Sequence, residues 1–170
     1  MTKGEEIAMI AAKYIGFQET PNNSGFKNKD FEKRMKEVGW DKGMAWCSYF
    51  SELVWAEAYS KNDEVKKRIK ELFSGSATAT YKNFDLNKLF KTDRTPEVGS
   101  VVIFRHGNGW QGHAAIVEKV VDANNIVTIE GNTNSAGGRE GVEVARKIRK
   151  LDKPYTPTGL NFVGIIHPMQ

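Results

Sequence analysis

Only one cysteine, Cys47, occurs in 170 residues, so an internal disulfide and a cysteine-rich zinc site are both excluded. Whatever Cys47 does, it does alone or with other residue types. No run of about 18 apolar residues is present, which excludes a transmembrane helix and with it membrane insertion. The apolar run from Ile7 to Phe17 is broken by Lys13, and no small-residue cleavage pattern follows it. The expectation is a chain without a signal peptide, cytoplasmic at synthesis. No His-Glu-x-x-His occurs, and His106 with His113 finds no third ligand, so no metal and no cofactor are expected. Internal repeats, heptads and low-complexity tracts are also lacking.

The residues present describe an ordinary globular chain. Hydrophobic residues make up 39%, aromatics 11% and charges 27%, which favours a packed core over disorder and predicts one domain over residues 1–170. A formal net charge of +4 and a pI near 9.1 favour encounter with an anionic surface without selecting one. The basic run Lys66, Lys67, Arg68 and Lys70 reads as a solvated helix face. No aromatic platforms are interleaved with it, so no nucleic-acid partner is expected.

Helical periodicity dominates the first half. Thr2 and Glu5 have capping-box spacing, and Ile7, Ile10, Ala11, Tyr14 and Ile15 predict a helix over about Lys3 to Ile15. Gln18 to Lys27 is turn chemistry. A second helix is predicted from about Asp30 to Val38, ended by Gly39. A third carries Cys47 in its first turn, and a fourth covers Asp63 to Phe73. Ser74 to Thr80 reads as a surface loop of small residues. From Pro96 onward the pattern becomes extended, with strands expected at Val98 to Phe104, His113 to Val121, Ile126 to Glu130, Val142 to Ile148 and Phe162 to His167. Arg105 to Gly112 and Thr133 to Gly141 read as loops at the two mouths of that sheet. Helices first and an antiparallel sheet afterwards predict an α+β fold.

A thiol in the first turn of a helix meets unpaired N–H groups that favour its thiolate. Position alone leaves Cys47 either such a nucleophile or an inert buried residue. His113 stands where a glycine-rich loop enters an apolar strand, facing a cleft, whereas His106 and His167 read as solvated residues of a loop and a strand end. Glu130 ends an apolar strand, where a carboxylate needs a donor such as a histidine N–H. Cys47 as nucleophile, His113 as base and Glu130 as orienting acid are the three roles that amide hydrolysis requires. A tight turn pairing Val121 with Ile126 puts His113 and Glu130 on one sheet face. It also sets Glu130 opposite Val117, about 13 Å along the strand from His113, so a bulge, another register or twist must close the gap.

Several ordered segments resemble the CHAP family of cysteine, histidine-dependent amidohydrolases and peptidases. Gly43 to Phe50 is similar to its nucleophile segment, a Trp-Cys pair opening a helix. Pro96 to Phe104 is similar to its first strand, with Gly99-Ser100 where Gly-Asp is more usual. Gly112 to Val117 resembles its Gly-His strand, Ile129 to Asn132 the strand end that supplies the acid, and Glu19 to Gly25 a loop of phage-associated members. The resemblance implies a papain-like fold, N-terminal helices packed on a C-terminal antiparallel sheet. It also implies Cys47, His113 and Glu130 as triad, Asn132 as auxiliary group or turn residue, and peptidoglycan as substrate. The calcium loop of some members precedes the cysteine; here that stretch offers only Asp41, so no calcium is expected there. Asn23, Trp46 and Trp110 are candidate substrate contacts, Trp110 either stacking on substrate or folding back on the core. The backbone N–H of Cys47 is a candidate oxyanion donor.

The leading reading is a monomeric peptidoglycan amidase or endopeptidase of the phage endolysin type, reaching the wall by a holin pathway. An exported antibacterial effector paired with an immunity protein uses the same chemistry. A cysteine amidohydrolase with a non-wall substrate, and a non-catalytic binding module, are the other readings.

Overall fold

The computed structural model describes residues 1–133 and 142–170, so most of the loop expected over Thr133 to Gly141 lies outside the described residues. Five helices occur among them: α1 (Lys3–Ala12), α2 (Lys29–Glu37), α3 (Cys47–Ala58), α4 (Asp63–Leu72) and α5 (Ala77–Asn87). The capping box at Thr2 forms as the spacing predicts, with Glu5 returning the bond. α1 ends three residues short of Ile15, because Lys13, Tyr14 and Ile15 tighten onto carbonyls three residues back and Gly16 then turns with φ +92°.

α5 is the element the sequence reading missed. Ser74 to Thr80 looked like a loop because small residues carry little periodicity, but Ser76 caps a helix there by accepting from the Ala79 N–H. Ala77, Thr80 and Phe84 are its buried positions. In α4 the face bearing Lys66, Lys67, Arg68 and Lys70 is exposed while Val65 and Ile69 are buried.

The main sheet is antiparallel throughout. β3 (Thr92–Asp93), β4 (Val101–His106), β5 (Gly112–Val120), β6 (Asn125–Thr133), β7 (Glu143–Lys150) and β8 (Leu160–Ile166) lie in the order β3-β8-β4-β5-β6-β7. A separate hairpin, β1 (Glu19–Thr20) with β2 (Gly25–Phe26), carries the loop through Asn23. The fold is α+β, in keeping with the papain-like expectation.

The sheet is apolar on both faces. Val101, Ile103, Ala114, Ile116 and Ile129 pack under the helices with Ile7, Phe31, Trp46, Phe50, Trp55 and Phe84. The alternate positions Val102, Phe104, Ala115, Val117 and Ile126 form a second cluster on the other face with Leu151 and Ile165. Since successive side chains alternate across a sheet, His113 and Glu130 belong to this second face: His113 lies opposite Phe104, and Glu130 follows Ile129 of the helix side.

The register corrects the expected pairing of Val121 with Ile126. Val120 lies opposite Ile126, a bulge separates Val117 from Lys119, and the ladder then runs as Val117↔Thr128 and Ile116↔Ile129. Continued by one residue, it sets Glu130 opposite Ala115, not Val117. The turn register and the bulge each contribute one residue of this shift, which brings Glu130 to within two residues of His113 and closes the gap left by simple pairing.

Candidate active site

Side-chain caps hold the starts of four helices, from Thr2, Asn28, Asn62 and Ser76. α3 differs, because Trp46 stands at its N-cap position with no side-chain hydrogen bond. Its first-turn N–H groups are thereby left for another acceptor. The Cys47 sulfur sits at this helix start, where the His113 ring and the backbone N–H groups of Ala114 and Ser48 favour its ionised form.

The tip of α3 meets the sheet where the β5–β6 ladder stops. Past Ile116↔Ile129 Gly131 lies against the Trp46 ring and Phe50 at the start of α3. A Cβ on Gly131 would stand 2.7 Å from both the Trp46 ring and Phe50 Cβ, so only glycine lets the strand approach this closely. Here a helix terminus on one side of the sheet reaches an imidazole belonging to the other.

His113 is held from behind by Glu130, with Nε2 2.7 Å from Oε2. The other ring nitrogen, Nδ1, is the one left for the sulfur. Glu130 is completely buried and accepts four hydrogen bonds. Besides His113, Thr128 Oγ1 donates to Oε1 at 2.6 Å, and Arg149 forks onto both oxygens, Nε to Oε1 at 2.7 Å and Nη2 to Oε2 at 2.6 Å. Cys47 is 6% and His113 9% exposed, so both residues are almost dry.

Electrostatics follow from these contacts. Burial pushes the Cys47 thiol up, but the charge and hydrogen bond of His113, with the two backbone N–H groups, bring it below its ordinary value. Burial likewise opposes charge on His113. The charges of Glu130 and of the Cys47 thiolate overcome it and raise the imidazole to about 10. Glu130 would be driven up by its burial, yet the His113 charge and the Arg149 hydrogen bonds hold it well below the usual carboxylate range. All three effects favour one state: thiolate, imidazolium and carboxylate in a row.

The other sequence candidates fall into different places. Asn132 lies in the irregularity between Glu130 and Thr133 of β6 with φ +54°, and its Oδ1 is buried without a partner among the described residues. Asn23 also has a left-handed backbone, φ +54°, its carbonyl taken by the Gly43 N–H and its Oδ1 likewise buried and unpartnered. Trp110 is 76% exposed on the β4–β5 turn, which overturns the alternative of an aromatic folded on the core. Its carbonyl is pinned by Thr78 Oγ1 of α5 at 2.8 Å.

Two expectations are corrected. Trp46 has no exposed surface; its ring packs edge-on against Phe26, Phe31 and Phe50, so it supports the cysteine from inside the core and offers a substrate no face. His167 is not a solvated strand-end histidine without partners. It is buried, with Nδ1 2.6 Å from Glu97 and Nε2 2.7 Å from Asp93. His106 ends β4 and is half-buried. Among the described residues no three His, Cys, Asp or Glu side chains gather as a metal ion needs.

Sequence reasoning missed Arg149 and Thr128. The signal was faint but present, since both alternate with apolar residues on the face that Glu130 occupies, and a buried carboxylate implies more than one donor.

The CHAP domain family model matches residues 39–132, more than half of the chain, and spans Cys47, His113, Glu130 and Asn132. Neither a curated protein nor a solved structure matches.

Proposed function

Because the chain belongs to the CHAP-domain family, whose members are cysteine- and histidine-dependent amidohydrolases and peptidases, we propose that it hydrolyses an amide bond in the peptide part of peptidoglycan through Cys47, His113 and Glu130. The observation that carries this reading is the meeting at the tip of α3. A thiol at an uncapped helix start has its ionised form favoured by an imidazole whose far nitrogen is held 2.7 Å from a buried carboxylate.

In the proposed reaction the Cys47 thiolate attacks the scissile carbonyl carbon, and the oxyanion faces the backbone N–H of Cys47 at the helix start. The His113 imidazolium gives its proton to the leaving amine as the C–N bond breaks, which leaves a thioester on Cys47. His113, now neutral, takes a proton from water, whose oxygen attacks the thioester and releases the carboxylic acid. Glu130 keeps the imidazole in one orientation and tautomer throughout. Asn132 Oδ1 and Asn23 Oδ1 are acceptors without partners among the described residues, suited to substrate N–H groups or a bridging water. Trp110 is an exposed ring placed to stack on the substrate.

We further place the enzyme in phage-type lysis of a host cell, as a monomer that reaches the wall after release from the cytoplasm. Its charge of +4 supplies attraction to an anionic wall. Muropeptide mass spectrometry after incubation with purified walls tests the substrate. New amine and carboxyl ends in stem peptide or cross-bridge are expected from the wild type and none from Cys47→Ala, which keeps the wild-type melting temperature within a few degrees. Unchanged muropeptides with a thiol that is readily alkylated would remove peptidoglycan as the substrate.

A further inference from the structure

Behind Glu130 the charges continue. Arg149 comes from β7, on the far side of the carboxylate from His113, and its guanidinium plane matches the carboxylate with two bonds of 2.7 and 2.6 Å. Its Cζ lies 5.7 Å from the centre of the Phe104 ring, and Phe104 is the cross-strand neighbour of His113. The guanidinium is therefore fixed by a fork on one side and an aromatic ring beside it, with its side chain only 25% exposed. A lysine could not reproduce both contacts.

We propose that Arg149 is a positioning residue for the Cys47–His113 pair: it locks the Glu130 carboxylate in the plane that His113 requires, and its positive charge offsets part of the hold that Glu130 has on the imidazolium proton. This rests on the catalytic reading of the site and deepens it.

A lone buried carboxylate at 2.7 Å makes an imidazolium too reluctant to part with its proton, and the leaving amine then waits for its acid. The second cation divides the attraction of Glu130 between two partners. It also leaves Glu130 ionised where burial alone would protonate it. Among the described residues, the groups that bear on His113 are Cys47 from α3 and Glu130 from β6; Glu130 in turn faces Thr128 of its own strand and Arg149 of β7. The sign of removing Arg149 is fixed by electrostatics. With one positive charge withdrawn, protonation becomes easier at every neighbour, so both the thiol and the imidazolium titrate at higher pH.

The test uses the fact that Cys47 is the sole cysteine, so alkylation by iodoacetamide reports this one site without any substrate. The rate is followed from pH 4 to 11 for wild type, Arg149→Gln and Arg149→Lys, beside kcat and KM on purified walls. For Arg149→Gln both limbs of the alkylation profile are expected to move up by roughly one pH unit, and kcat to fall about 10- to 100-fold, with KM little changed. Arg149→Lys should keep the limbs near their wild-type positions, because it keeps the charge, yet lose activity because it loses the fork. If Arg149→Gln does not fold, Arg149→Lys still decides: wild-type kcat in it overturns the positioning role. A purely structural residue would lower the alkylation amplitude without moving either limb, and that result overturns the proposal. Shifted limbs in a protein inert on walls leave the electrostatic role standing and reject the substrate instead.

Discussion

His113 and His167 each stand at the end of a strand with carboxylate oxygens within 2.7 Å of the ring, yet their surroundings differ at two points. Both nitrogens of His167 are taken by carboxylates, Glu97 on Nδ1 and Asp93 on Nε2, whereas His113 spends one nitrogen on Glu130 and turns the other to a thiol. The acids differ too. Glu130 has a fully buried side chain, while those of Asp93 and Glu97 are 28% and 49% exposed. The lesson is that a histidine–carboxylate contact says little by itself; what the second nitrogen meets decides between proton transfer and fastening. His167 fastens, tying the end of β8 to Asp93 in β3 and to Glu97 in the segment before β4.

Replacing the acid should separate the two clusters most strongly. Glu130→Gln keeps size and loses charge, so wall hydrolysis is expected to fall by about 10²- to 10⁴-fold, measured as kcat/KM. Activity within threefold of wild type would mean that Glu130 merely packs. Asp93→Asn, the parallel change in the other cluster, should leave kcat/KM where it was.

An intermediate effect is expected from pH. A histidine raised to about 10 adds stability that is complete below about 6.5 and disappears as pH climbs through 10. Asp93, whose burial is outweighed by hydrogen bonds from His167 and Lys91, is lowered to about 2. Its contribution is present above about 4 and is lost as pH falls through 2. Glu130 loses in acid in the same sense. Melting temperatures from pH 7 to 10.5 should therefore drop less in His113→Gln than in wild type, and a parallel fall in the two proteins would dissolve the assigned ion pair.

The smallest expected change comes from His167→Gln. Breaking a part-buried pair of charge-assisted bonds costs about 2 kcal/mol, or roughly 4–8 °C in a chain of this size. Hydrolysis below the melting temperature should be untouched, and a loss of kcat would tie the β3–β8 edge to catalysis after all.

Much of this was legible in order of residues. Cap spacing and the apolar period of 3.6 placed α1 to α4 within a few residues, and β-branched runs located the strands from β4 onward, because those signals act between neighbours in the chain. The Trp46-Cys47, Gly112-His113 and Ile129-Glu130 segments named the triad candidates on local pattern and family likeness. α5 escaped because its buried positions Ala77, Thr80 and Phe84 keep helical spacing but include only one large apolar side chain, too weak a signal beside the small residues before it. Trp46 was misjudged as a substrate contact since adjacency to the cysteine does not reveal which way a ring points.

By itself the sequence determined which groups were available: one thiol, one histidine at the mouth of an apolar strand, one acid ending another, and a helix start to receive the sulfur. Tertiary structure alone decided their distances. The turn pairing Val120 with Ile126 and the bulge after Val117 shifted the register until Glu130 could reach His113, the bare N-cap at Trp46 left backbone donors for Cys47, and the β6–β7 pairing delivered Arg149 to the carboxylate 19 residues earlier. Register and burial are properties of strands laid side by side, and residue types written in a line do not contain them.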